Sequence, residues 1–76
     1  MEPRPLISRL VDVINQQIQA SDLSVTEMIE QTGIPKVTLH RRLRTGHGLT
    51  VAELESLAGQ LHTTPASLMT QAEAIN

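Results

Sequence analysis

Ser24-Val25-Thr26-Glu27 and Thr50-Val51-Ala52-Glu53 repeat one pattern, a hydroxyl residue followed three positions later by glutamate. In such a capping box the hydroxyl and the carboxylate satisfy backbone amides that a helix start leaves without partners. Apolar residues at staple positions flank each box, Leu23 with Met28 and Leu49 with Leu54. Thr64-Pro65 marks a further start, a cap followed by a first-turn proline. A chain punctuated in this way is confined to short helices. Between the marks the apolar period is helical. After "EPRP", whose prolines suit an extended lead-in or a first turn, Leu6, Leu10, Ile14 and Ile18 recur every four residues, and Ile7 and Val11 widen the stripe. This predicts a first helix ending near Ala20-Ser21-Asp22. A short second helix follows Ser24, and a third runs from Pro35 to about Thr45. The fourth carries Leu54, Leu57, Ala58 and Leu61, and the fifth Leu68, Met69, Ala72 and Ile75. Strand alternation, repeats and linkers are lacking, so the expectation is a single all-α, compact five-helix domain over residues 1–76.

A chain of 76 residues buries only about 60% of the surface it exposes when unfolded, which leaves little room for a cleft. It contains no cysteine, so no disulfide or thiolate metal site staples it, and a reducing compartment is permitted. With no apolar run long enough to span a bilayer and no secretory pattern at "MEPRPLISRL", a cytoplasmic protein without membrane partners is expected. Phe, Tyr and Trp are absent. That argues against single-strand and RNA modules, which stack bases on aromatic rings, but not against a reader of duplex DNA.

Charge is segregated. The formal net charge is −2, yet "TGIPKVTLHRRLRTGHG", Thr32 to Gly48, holds four of the six Lys and Arg residues and no Asp or Glu. Gly33 follows the second helix where a left-handed backbone is needed, and Ile34-Pro35 leads at once into the third, which makes a tight helix-turn-helix corner. On the third helix Leu39 and Leu43 share the core face. Lys36, His40, Arg44, Val37 and Arg41 then follow one another along an outer arc of roughly 140°. Cations, hydrogen-bonding groups and an exposed valine match the phosphates, guanine acceptors and thymine methyls of a major groove.

These residues resemble the Cro and phage-repressor superfamily of helix-turn-helix domains, the lambda repressor-like fold. The resemblance runs from about Leu6 to Met69. It is carried by "LSVTEMIEQTGI" leading into "TLHRRL" and by "TVAELESLAGQLHTTPASLM", and "TGIPKVTLHRRL" is most similar to repressors of actinobacteria and their phages. The chain departs from the family pattern at two places, and at the first of them Ile29 follows Met28 where a small alanine is common, which implies a slightly wider crossing of the two helices. At the second, Arg42 stands where a core residue is common, with Leu43 taking over one position later. The resemblance implies five packed helices with the third in the major groove of a double-stranded DNA operator.

On this reading Lys36, His40, Arg41 and Arg44 reach base edges or phosphates, and Val37 is available to a thymine methyl. Arg41, near the middle of the helix, is assigned to a guanine edge. Arg42 and Thr38, on the flank, are assigned to the DNA backbone, with Ser24, Thr26 and the first amides of the second and third helices as further phosphate donors. Met69 and Ile75 of the last helix are the expected seam of a weak homodimer. A basic run is by itself more often a solvated helix face, and the adjoining corner is what favours DNA. His40, His47 and His62 have no i,i+4 pair and no thiolate or carboxylate cluster to make a metal site, and His47 reads as a loop residue without a task. No cofactor is expected. Without a Gly-rich phosphate loop or a triad the chain does not read as an enzyme. The competing reading is a protein-interaction module, an antirepressor or antitoxin-like adaptor that keeps the fold without reading DNA.

Overall fold

Five α-helices follow one another in the computed structural model, which describes residues 4–75: α1 (Leu6–Ala20), α2 (Val25–Thr32), α3 (Lys36–Thr45), α4 (Val51–Gln60) and α5 (Pro65–Ala74). No strand occurs among the described residues. In the lead-in, Pro5 precedes α1 as its cap residue. Met1 to Pro3 and Asn76 lie outside the described residues.

The hydroxyl caps form as the sequence requires. Ser24 Oγ accepts from the Glu27 amide at 3.1 Å, Thr50 Oγ1 from Glu53 at 3.0 Å and Thr64 Oγ1 from Ser67 at 3.1 Å. The expectation of two full capping boxes is corrected, because only the second is complete. Glu53 Oε1 returns to the Thr50 amide at 3.0 Å, whereas Ser24 receives no such bond from Glu27. Glu27 is exposed, and ordering its long side chain costs rotamer entropy. Glu53 is held by a second partner, Arg42. Thr50→Ala should therefore cost about 1–2 kcal/mol and Ser24→Ala about 0.5–1 kcal/mol. Urea midpoints of the two variants check this, and an equal or reversed order would contradict it.

Packing divides into two aliphatic clusters that share α4. In the first, Leu10, Val13 and Ile14 of α1 meet Leu54 and Ala58 of α4 and Leu68 and Ala72 of α5. In the second, Met28 of α2, Ile34 of the corner and Leu39 of α3 close on Leu57 of α4. Ile18, Leu43 and Leu49 pack against both clusters and join them. Val13 lies outside the expected α1 stripe and is nevertheless buried, because α5 packs against α1. The end of α5 is tied down by Arg9, whose Nη1 donates to the carbonyls of Ala72 at 3.3 Å and Ile75 at 3.1 Å. A cation at a helix C-terminus also opposes the negative end of its dipole.

The expectation that the seam residues are exposed is also corrected. Met69 and Ile75 are half-buried and pack against the first cluster, so they complete the chain's own core rather than an exposed patch. The exposed large apolar residues among those described are Val37 and Val51. No helix among the described residues is long and apolar enough to cross a membrane.

Candidate nucleic-acid interface

The corner that orients α3 is built from four consecutive residues. Gly33 has φ 74°, a left-handed conformation, and its amide caps α2 by donating to Ile29 O at 3.0 Å. Thr32 Oγ1 donates to Met28 O at 2.6 Å and accepts from the Ile34 amide at 3.3 Å, which fixes the exit direction. Ile34 plugs into the second cluster, and Pro35 opens α3. Whereas α2, α4 and α5 start on hydroxyl caps, α3 starts on Pro35 with no side-chain cap, leaving its first-turn amides open.

The outer arc emerges largely as the helical period requires. Leu39 is fully buried and Leu43 half-buried, while Lys36, Val37, His40, Arg41 and Arg44 are exposed. Val37, His40, Arg41 and Arg44 line one shallow surface depression of about 490 Å³. Lys36 is exposed at the first position of the same helix, and Thr38 is half-buried on its flank. Ser24 and Thr26 are exposed on the opening turn of α2, with the Ser24 oxygen already accepting from Glu27. They do not line the depression.

The partners of the six cations separate them into two groups. Arg4 pairs with Asp12 at 2.6 Å, Arg9 donates to Arg4 O at 2.9 Å as well as to α5, and Arg42 pairs with Glu53 at 3.0 Å. Lys36, Arg41 and Arg44 form no side-chain hydrogen bond or ion pair among the described residues, and all three lie on α3. Their charge is therefore available to an outside anion.

Arg42, expected on the flank as a backbone contact, is turned inward. Its Nε donates to Glu53 Oε1 and its Nη1 to His47 O at 2.9 Å, with only 18% of its side chain exposed. One carboxylate thus completes the α4 cap and locks α3 to α4 across the intervening loop. The Thr50 amide above all, with Arg42 adding to it against the opposing effect of burial, holds the Glu53 carboxyl below its ordinary value of 4.5. A lowered folded-state pKa means that this stabilisation is full above about 4.5 and is lost as pH falls through the folded value. Thermal melts should show wild type losing its advantage over Glu53→Gln as pH falls below 4.5. A constant gap between the two from neutral to acid pH would contradict the assignment.

Two positioning features escape a reading of periodicity. Asn15 Nδ2 donates to Leu43 O at 2.8 Å, tying the last turn of α3 to α1. The clue is a polar residue immediately after the buried Ile14 of an amphipathic helix. Gly46 caps α3 with φ 78° and is buried. A Cβ there would come within 2.5 Å of Ile7 Cγ1 and 2.9 Å of Val11 Cγ2, so α1 packs directly onto the exit of α3.

A second groove, about 460 Å³, lies at the junction of α1, α2 and α4 and includes Asp22, Glu27 and His62 in its lining. Its carboxylates disfavour a polyanion, so it suits nucleic acid less well than the α3 depression does. No family model, curated protein or solved structure matches the chain.

Proposed function

We propose that this chain is a sequence-specific double-stranded DNA-binding transcription regulator of the phage-repressor or Cro-like kind, with α3 in the major groove. The observation that carries this reading is that every Lys or Arg without a partner among the described residues, Lys36, Arg41 and Arg44, lies on the outer arc of a single helix set by a helix-turn-helix corner. Arg41, one turn beyond Val37 and beside His40, takes a guanine edge through its two parallel donors. Lys36, with the open first-turn amides behind it, takes a phosphate. Arg44, at the last turn, reaches the groove wall. Arg42 takes no DNA contact in this account, because it holds α3 in place through Glu53.

Selection of bound duplexes from a random pool tests the reading. A recovered motif containing guanine, lost in Arg41→Ala, is the expected result. Two half-sites about 34–36 Å apart would indicate binding as a pair. Recovery of no motif, with binding to a protein partner instead, would favour the adaptor reading.

A further inference from the structure

Charge does not explain Val37. It is 69% exposed on the first turn of α3, belongs to neither aliphatic cluster, and shares its depression with His40, Arg41 and Arg44. The apolar feature that a major groove presents is the methyl group at C5 of a pyrimidine, native to thymine and added to cytosine by methylation. Resting on the DNA reading above, we infer that Val37 makes α3 a reader of a 5-methylpyrimidine, thymine or 5-methylcytosine alike, one or two base pairs from the guanine taken by Arg41.

The spacing follows from helix geometry. Val37 and Arg41 are four residues apart, about 6 Å along the axis, which is less than two base-pair rises of about 3.4 Å each. Tolerance of both bases follows from His40, which is exposed in the same depression. Thymine presents an acceptor at C4 and 5-methylcytosine a donor, and a neutral imidazole carries one nitrogen of each kind. Methylation of cytosine at this position leaves its donor in place and adds the apolar group that faces Val37. Modification of the site therefore strengthens binding.

The test uses a selected duplex in which each thymine in turn is replaced by deoxyuridine, cytosine or 5-methylcytosine, with the matching base opposite. At one position wild type should bind uridine about fourfold more weakly than thymine, the equivalent of one buried methyl group. At the same position 5-methylcytosine should bind about fourfold more tightly than cytosine. Val37→Ala, with its fold checked by circular dichroism, should erase both differences. Val51→Ala, at the other exposed valine, should leave them intact. Equal binding of uridine and thymine at every position, or discrimination that survives in Val37→Ala, overturns the inference while leaving the DNA reading standing. Failure to bind any duplex overturns the DNA reading itself.

Discussion

Gly46→Ala should be the most damaging single-methyl change in the chain. A left-handed φ of 78° costs a residue with a Cβ about 1–2 kcal/mol. The new methyl would also press on Ile7 and Val11 of α1, and overpacking of this kind costs about 1–3 kcal/mol more. The sum is a large fraction of the roughly 4–11 kcal/mol expected for a domain of this length. Gly33→Ala is the internal control. Its φ is 74° but nothing lies within 4 Å of the added carbon, so only the backbone cost applies. Urea midpoints should rank wild type first, Gly33→Ala second and Gly46→Ala well below both. Equal losses in the two variants would show that α1 yields at Ile7, and that the contact between α1 and the exit of α3 is not rigid.

Arg41→Ala and Arg42→Ala, neighbours in sequence, should fail in opposite ways. Arg41 is exposed and unpaired, so its loss should leave stability unchanged, weaken binding to the preferred duplex by about 1–3 kcal/mol and relax the preference at one base position. Arg42 holds Glu53 and the His47 carbonyl. Its removal should cost about 1–3 kcal/mol of stability, while the salt dependence of DNA binding by the folded protein stays as in wild type. Lys36→Ala should supply the contrast, making the slope of log affinity against log salt shallower by about 0.9, the value for one phosphate. Denaturation and salt titration of the three variants check the set. A shallower slope in Arg42→Ala with unchanged stability would return that residue to the DNA backbone.

The helices and the outer arc were legible in the sequence because both are set locally. Caps act over three residues, and the angular order of Lys36, His40, Arg44, Val37 and Arg41 follows from the helical period alone. What was not legible depends on neighbours distant in sequence. Arg42 reads as a surface cation until Glu53, eleven residues on, is brought beside it by the fold. Val13 reads as peripheral until α5 covers it, and Met69 and Ile75 read as exposed until the same packing half-buries them. Asn15 acquires its task only when Leu43 O arrives from 28 residues away. The incomplete cap at Ser24 has the same origin, since Glu27 lacks the tertiary partner that orients Glu53.

The proposed partner of the exposed charge on α3 is duplex DNA. A salt titration of duplex binding, with wild type beside Lys36→Glu/Arg41→Glu/Arg44→Glu, tests it most directly. These side chains are exposed and unpaired, so the triple variant should keep the helical signal and cooperative unfolding of wild type. Wild type should bind at low salt, with log affinity falling linearly against log salt, and the folded triple variant should not bind at all. Wild type that ignores duplex DNA at low salt, or a triple variant that binds as well as wild type, would contradict the account.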